Sequence, residues 1–372
     1  MPEDIERMKD LSPEDRERLA LTGLEVDMNN RSGSFFQIDQ EIKQASSTEE
    51  GVEVLTIKEA LEKYEWLRKY SWNAVARDKD QYTRYVASQE HDPKGFAIIA
   101  RKGSKTVYPL QACLFLAGAP VQHVHNIVVA EEGAELHIIS GCASASHTQA
   151  GSHLGVTEFY VGKGARVTST MIHYWGEEIS VFPRSAAIVE EDGVFISNYV
   201  CMQPVRKIQM APLATLKGKN SVARFSSIVV GMPNSQLDLG SVVVLAAPGA
   251  SAELVTRAIT TGGHIISRGM IHGQTKDTRG HIECKGLILK DGIIHAIPEI
   301  QGDVVDTELS HEAAVGKIAR DEIEYLMSRG LSEEVATSTI IRGFLDVKIA
   351  GLPEVLQKQI DSAIDAAEKS GF

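Results

Sequence analysis

Hydrophobic and polar positions follow a helical spacing over about the first ninety residues, which are also rich in charged side chains. At Ser12 a capping hydroxyl precedes Pro13 and two acids, which favours a helix start. At Thr56, with Glu59 three residues later, the capping-box spacing predicts a second helix running past Leu67. The pattern therefore predicts a helical or mixed N-terminal region over residues 1–95.

The pattern of hydrophobic and polar residues changes between residues 96 and 300, where short apolar runs rich in β-branched residues recur. They occur at 127–129, 136–139, 159–161, 227–230, 242–245 and 282–289. Polar–Gly–small tripeptides separate many of them, at 132–134, 163–165, 192–194, 248–250 and 291–293. Glycine permits the positive φ of tight turns, so a strand–turn–strand unit repeats, with an irregular spacing of roughly 25 to 43 residues.

No amphipathic helix separates these strands, which argues against a doubly wound parallel sheet. A solenoid, a β-sandwich and a cupin-type barrel remain. Recurrence over two hundred residues favours the solenoid, in which each coil buries its apolar face on its neighbours. We therefore expect a β-solenoid core over residues 96–305.

Residues 306–372 return to a helical spacing. We expect one helix along Val315, Ala319, Ile323 and Leu326 that ends at Gly330, and a second that begins at Ser332. A third is expected to begin at Pro353. Such a group could dock a partner or cap the end of the solenoid, and the sequence favours neither.

Composition narrows the class of protein. The chain has 372 residues and a formal net charge of −12, which disfavours a nucleic-acid binder because phosphates require a basic face. No apolar run reaches the roughly 18 residues of a membrane helix, and the acidic start is unlike a signal peptide. We expect a cytoplasmic protein without a membrane partner, whose four cysteines form no disulfide framework.

Two groups of residues could carry chemistry. His123 and His125 form a His-x-His pair that would share one face of a strand, as in a cupin-like metal-dependent enzyme. The expected Gly and Glu spacing of such a motif is missing, so ordinary structural histidines are the favoured interpretation.

The second group is richer in soft ligands. Cys284 follows His281, and four further candidates lie downstream: His295, Glu299, His311 and Glu312. Thiolate, imidazole and carboxylate together suit iron or zinc, and a Cys–His pair could also act as a nucleophile. Because Cys284 lies in a strand-like run, a buried structural cysteine is equally open.

Several longer stretches of the chain resemble the SufB/SufD family. They are HNIVVAEEGAELHIISGC from His125, LKGKNSVARFSSIVVG from Leu216, LDLGSVVVLAAPGASAELVTRAITTGG from Leu237, HIECKGLILKDG from His281 and LSHEAAVGKIARDEIEYLMSRGLSEEVATSTIIRGF from Leu309. The resemblance implies a right-handed parallel β-helix with C-terminal helices. It also implies a non-enzymatic scaffold for iron–sulfur cluster assembly, coupled to a SufC-like ABC-type ATPase that docks on those helices.

The resemblance assigns functional residues one by one. Cys284 matches a cysteine that SufB members carry near the end of the β-helix, and His311 and Glu312 match a family Glu-His-Glu run in which the first Glu is Ser310 here. SufD members have Ser-His at this place, so the chain combines features of both. The resemblance thus implies that Cys284, His311 and Glu312 bind iron and a nascent, labile cluster.

Two departures bear on sulfur delivery. Leu154 stands where bacterial SufB has a sulfur-accepting cysteine, and His173 replaces the Gln of a Gln-x-Trp run while Trp175 is kept. A leucine cannot hold a persulfide, so Cys284 becomes the main candidate for holding sulfur.

The mixed features of the chain suggest a homodimer in which Cys284 of one copy faces His311 of the other, with a SufB/SufD-type heterodimer as the alternative. Cluster-acceptor proteins would be further partners. A purely structural SufD-like subunit that binds no cluster is a second alternative to the scaffold, beside the cupin-like enzyme.

Overall fold

The computed structural model describes residues 5–26 and 30–346, and beyond them only Glu354, Lys358 and Asp361. The strands are β1 Gly33–Ile38, β2 Glu41–Ser47, β3 Val52–Thr56, β4 Phe96–Ala100, β5 Leu110–Leu116, β6 Val121–Ala130, β7 Glu135–Ser144, β8 Gly151–Val161, β9 Arg166–Tyr174, β10 Ile179–Val181, β11 Arg184–Val189, β12 Val194–Cys201, β13 Lys207–Met210, β14 Leu213–Leu216, β15 Val222–Gly231, β16 Gln236–Leu245, β17 Ser251–Thr260, β18 His264–Gly273, β19 Thr278–Ile288, β20 Ile293–Gly302 and β21 Thr307–Gly316. The helices are α1 Pro13–Ala20, α2 Ile57–Lys63, α3 Gln81–Ser88, α4 Arg320–Ser328 and α5 Glu333–Leu345, with 3₁₀ turns at Met8–Asp10 and Glu65–Tyr70.

Two long sheets face each other and form a β-solenoid of about eight turns, which confirms the predicted fold class. Sheet A runs in the order β2-β1-β5-β7-β9-β12-β15-β17-β19-β21, and sheet B contains β3, β4, β6, β8, β10, β11, β13, β14, β16, β18 and β20. From β5 onward every strand pairing is parallel. The chain therefore passes from one sheet to the other and back in each coil, and each coil stacks on the one before it. The main apolar core lies between their inner faces.

The coil repeat is regular, which corrects the irregular spacing expected from the glycine tripeptides. From β5 onward, paired residues in sheet A lie 28 to 31 positions apart, as for Glu135 with Arg166 and Val222 with Ser251. Successive coils have a turn residue with positive φ, and Asp or Asn takes that place where Gly is absent, because these side chains tolerate the left-handed region. The positions are Gly103, Gly133, Gly164, Asp192, Asn220, Gly249 and Asp277.

Backbone hydrogen bonds join these turns from one coil to the next. The Gly133 amide donates to the Lys163 carbonyl at 2.9 Å, and the Asp277 amide donates to the Asp306 carbonyl at 2.8 Å. The positions of glycine alone do not show the regular repeat, because each turn requires a backbone conformation rather than a particular residue.

The N-terminal region packs on the solenoid through its own elements. The Ser12 cap and the Thr56 capping box form as predicted, but α2 ends at Lys63 rather than continuing past Leu67. β1 continues sheet A, and β3 pairs antiparallel with β4 of sheet B. The helices α2 and α3 cover the outer face of sheet B.

The C-terminal helices begin later than predicted. Val315 lies in β21 rather than in a helix, and α4 starts at Arg320 because the chain first completes another coil. Gly330 has φ +94° after α4, and Ser332 caps α5 as expected. The helix predicted from Pro353 lies outside the described residues.

The boundary predicted at residues 305 and 306 falls in the turn before β21, whereas β21 itself belongs to sheet A. Ile341 and Leu345 of α5 and Leu19 of α1 are buried in an apolar cluster on the outer face of that sheet. Among the described helices, none has both the length and the apolar character that crossing a bilayer requires.

Candidate functional site

Cys284 lies near the C-terminal end of the solenoid, on the inner face of β19. Burial alternates along this strand, and Ile282 and Cys284 join the main core with Leu254 and Ile271. The neighbouring outward positions hold Glu283 and Lys285. Period-two alternation of apolar and charged residues around position 284 is therefore a signal, present in the sequence, that the thiol points inward.

Burial determines the state of this thiol. Cys284 is 2% exposed, and burial raises its pKa, although the nearby Ser267 hydroxyl acts in the opposite direction. Proton loss is thus disfavoured at neutral pH. A buried, protonated thiol is a poor nucleophile, which argues against the Cys–His nucleophile interpretation.

His311 shares the inner face with Cys284. In the parallel register of β19 and β21, His311 pairs with Ile282 and Ala313 pairs with Cys284. Leu309 packs against the core, so alternation directs His311 to the same side. The two Cα atoms lie on a diagonal of roughly 8 Å, given a strand spacing of about 4.8 Å and a rise of about 3.3 Å per residue. His311 is nevertheless exposed, because β21 is the last strand of its sheet.

Glu312 lies on the opposite face. It is opposite Glu283 in the register, and its Oε1 is 3.2 Å from Nζ of Lys285. Strand alternation therefore brings Cys284 and His311 to one side and separates Glu312 from them. Sequence spacing had grouped the three residues without distinguishing these faces.

The other members of this group do not join them. His281 lies on the outer face of sheet A, where its Nδ1 is 2.9 Å from the Ser310 hydroxyl. His295 and Glu299 lie on the outer face of sheet B, beside Ile266 and Met270. Within the part of the chain that the structure describes, no three His, Cys, Asp or Glu side chains are placed so that they could hold a metal ion.

His123 and His125 lie beneath the N-terminal helices, on the outer face of sheet B. The ring of His125 is 2.8 Å from Glu158 through its Nε2, and its centre is 4.3 Å from that of Trp72. His123 is 8% exposed, and neither ring nitrogen has a hydrogen-bond partner. Tyr85 of α3 contacts its ring edge. The pair is thus packed under a helix, and one of its rings is already engaged by a carboxylate.

Glu158 is a buried residue that the sequence analysis missed. Its carboxylate is fully buried and accepts backbone hydrogen bonds from Trp72 at 2.6 Å, Ala74 at 2.6 Å and Val75 at 3.1 Å. Burial acts to raise the pKa of Glu158, but His125 and the backbone donors outweigh it and hold this pKa below its ordinary value. Trp72 has φ +58°, so the carboxylate fixes a strained turn. Nothing local in the sequence marks such a long-range contact.

The solenoid interior contains a small pocket whose mainly apolar lining includes two histidines. His153 and His173 line a cavity of about 50 Å³ with Tyr199, whose hydroxyl is 2.9 Å from Nδ1 of His173. Cys142 and Cys201 flank His173 on the neighbouring strands, and burial raises the pKa of each thiol to about 12. Burial also lowers the pKa of His153 to about 4.

Leu154 does not line this cavity. It is buried on the outer face of sheet B against Val86 of α3, while His153 points inward. The missing cysteine thus corresponds to a position under the N-terminal helices, not to one in the interior.

Comparison with known proteins identifies the family. The family model described as the SUF system FeS cluster assembly, SufBD core domain, matches residues 115–344. The chain belongs to the SufBD family. That model covers the solenoid from β5 to the end of α5, including Cys284, His311 and Glu312.

Curated SufBD relatives extend the match to nearly the whole chain. An iron–sulfur cluster assembly SufBD family protein of Archaeoglobus fulgidus is 48% identical over 356 residues, which is 95% of each chain. One from Methanothermobacter thermautotrophicus is 44% identical over 99% of this chain and 91% of its own. Another, from Pyrococcus horikoshii, is 29% identical over 100% of this chain and 85% of its own. The resemblance inferred from the sequence is confirmed.

Proposed function

We propose that this SufBD protein is a non-enzymatic scaffold that holds a nascent iron–sulfur cluster, its cargo, with Cys284 and His311 as the first ligands and Glu312 as a third. The observation that carries the proposal is their position. A thiol and an imidazole share the inner face of the last two described strands of sheet A. Membership of a family named for cluster assembly supports the same role.

Mixed ligation suits an assembly role. A site with one thiolate, one imidazole and one carboxylate holds a cluster less firmly than four thiolates do, so the product can be passed to acceptor proteins. Because the Cys284 thiol is buried and protonated in the single chain, loading must be accompanied by exposure of β19 or by metal-driven loss of the proton.

A second copy of the chain is the proposed partner at this end. Among the described residues, the final strands β20 and β21 have no strand paired along their outer edge, and a long exposed edge strand is a template for pairing with another chain. These strands also expose apolar side chains, since Ile293 is 59% and Ile300 42% exposed on β20, and Val315 is 41% exposed on β21. A two-fold axis here would bring Cys284 of one copy towards His311 of the other. A mass measurement showing only monomer at all concentrations would refute the homodimer.

We further propose that the C-terminal helices dock a SufC-like ABC-type ATPase, which would hydrolyse ATP in the cytoplasm. No residue of α4 is buried, and apolar side chains are exposed there and at the start of α5: Tyr325 at 59%, Met327 at 36% and Val335 at 46%. Tyr325→Asp should abolish co-purification of the ATPase. Tyr108→Asp, at a tyrosine exposed elsewhere, should not. Equal retention by both variants would refute the docking site.

The central experiment is anaerobic reconstitution with ferrous iron and sulfide, followed by absorption spectroscopy. Cys284→Ala should remove the cluster chromophore, and His311→Ala should weaken it. Cys142→Ala serves as the matched control, because it removes another buried thiol of the same solenoid, remote from β19. A chromophore that survives Cys284→Ala would overturn the proposal.

A structural subunit that binds no cluster is the second candidate, favoured by the burial of Cys284. It predicts that wild type and Cys284→Ala both lack a chromophore after reconstitution. A cupin-like metal site would instead be revealed by bound metal that is lost in His123→Ala and retained in Cys284→Ala.

A further inference from the structure

Four charged side chains form a continuous chain on the outer face of sheet A, directly behind Cys284. Arg257 of β17 contacts Glu283 of β19 at 2.6 Å, Glu283 contacts Lys285 at 2.7 Å, and Lys285 contacts Glu312 of β21 at 3.2 Å. The chain thus crosses three neighbouring strands and ends at the edge of the sheet.

The buried end of this chain touches a C-terminal helix. The Arg257 guanidinium lies 6.0 Å from the ring centre of Phe344 in α5. α5 is itself anchored on the sheet by the buried residues Ile341 and Leu345. Arg257 and Glu283 have side chains that are 14% and 19% exposed, against 58% for Glu312. Near the helix the charged groups are better shielded from water than at the edge of the sheet. Each ion pair is therefore stronger near the helix.

The opposite end restrains a proposed cluster ligand. While Lys285 holds the Glu312 carboxylate, this carboxylate stays on the outer face, away from Cys284 and His311. Glu312 is on the last described strand of sheet A, so its flexible side chain can turn around that edge of the sheet once the ammonium releases it. Lys285 is itself shared with Glu283, so a change at Arg257 alters how firmly Lys285 holds Glu312.

We propose that Arg257, Glu283 and Lys285 couple the position of α5 to the availability of Glu312, with Lys285 as the positioning residue that withholds this carboxylate until α5 shifts. The inference rests on the proposed function, because it assumes that Glu312 is a cluster ligand. It gives the C-terminal helices a direct physical route to the site. A protein docked on α4 and α5 can then alter metal binding without touching any ligand.

The test uses Co²⁺ in place of iron, titrated anaerobically into the full chain and followed by the thiolate-to-cobalt absorption band. Lys285→Met should tighten Co²⁺ binding about fivefold, the upper range for a partly exposed ion pair, because Glu312 is then no longer held on the outer face. Lys285→Arg should stay near wild type, since it keeps the charge. Adding Glu312→Gln to Lys285→Met should return the affinity to the wild-type level.

Arg279→Met is the matched control for loss of a positive charge. Arg279 also lies on β19 and pairs with Glu308 of β21 at 3.1 Å, but it does not contact α5. Arg279→Met should change Co²⁺ affinity less than about twofold.

Two variants test the contact between Arg257 and α5. Phe344→Leu and Arg257→Met should each tighten Co²⁺ binding about threefold. Thr339→Ala, at an exposed position of α5, should not.

The possible outcomes distinguish failure of the proposed function from failure of the coupling. If no cobalt band depends on Cys284, the proposed function fails and the coupling fails with it. If the band depends on Cys284 but Lys285→Met behaves like Arg279→Met, the coupling alone is refuted. It is refuted equally if Lys285→Met tightens binding while Phe344→Leu and Arg257→Met leave it unchanged.

Discussion

Glu158→Gln tests how the N-terminal region is held on the solenoid. In the native protein one buried carboxylate accepts three backbone N–H groups from residues 72–75, a hydrogen bond from the Tyr160 hydroxyl and one from the ring of His125. A glutamine keeps the volume but replaces one acceptor oxygen with a donor, which then faces N–H groups.

The magnitude follows from burial. Each buried donor left without an acceptor costs about 1–3 kcal/mol, and the amide nitrogen of a glutamine leaves at least two of these donors unpaired. We expect Glu158→Gln to lower the free energy of unfolding by about 3–5 kcal/mol, a large share of the usual 5–15 kcal/mol. Urea unfolding can be followed by tryptophan fluorescence, to which Trp66 and Trp72 contribute from this region and Trp175 from the solenoid.

A matched control and a pH dependence sharpen the test. Glu191→Gln removes a carboxylate from the exposed Lys163 pair and should cost at most about 1 kcal/mol. The pKa of Glu158 is lowered in the fold, so its contribution is complete above the unfolded value of about 4.3 and disappears as the pH falls through the folded pKa. The gap between wild type and Glu158→Gln should therefore narrow only below about pH 4. If Glu158→Gln lowers the free energy of unfolding no more than Glu191→Gln does, the hydrogen bonds of Glu158 to residues 72–75 are not important for stability.

Three further predictions concern other parts of the fold. Because burial raises the pKa of Cys284, iodoacetamide near pH 7.5 should modify it at least about 100-fold more slowly in the native chain than in urea, and mass spectrometry showing equal rates would contradict this. At the left-handed turn of Asp277, with φ +60°, Asp277→Val should cost about 1–2 kcal/mol in urea unfolding and Asp277→Gly should cost nothing, so equal effects would refute the turn argument. Leu154→Ala should cost about 2–5 kcal/mol, since Leu154 is 6% exposed beneath α3, and a loss below about 1 kcal/mol in the same assay would show that this contact is loose.

The placement of the site shows where sequence reasoning reached its limit. The sequence pointed to Cys284 and His311, and both lie in the last two coils. It grouped Glu312 with them because adjacent residues are close along the chain. Adjacent strand residues point to opposite faces, so proximity in sequence is the wrong criterion within a sheet.

Long-range partners explain the remaining misses. Glu158 contacts a turn more than eighty residues earlier, and Arg257 meets Phe344 of a helix that follows several more strands. No local pattern encodes such pairs, because they depend on which coil stacks on which.

The sequence alone determined the solenoid, the helix caps at Ser12, Thr56 and Ser332, and the family. Each of these depends on local conformational preferences or on long stretches of similar residues. The alternation of apolar and charged residues around position 284 already indicates an inward Cys284. The tertiary structure decided the faces that carry no such signal: His311 inward, Glu312 outward onto Lys285, and Leu154 under a helix. The physical reason is that the strand period fixes only alternation, and the stacking of coils and helices decides which of the two faces is buried.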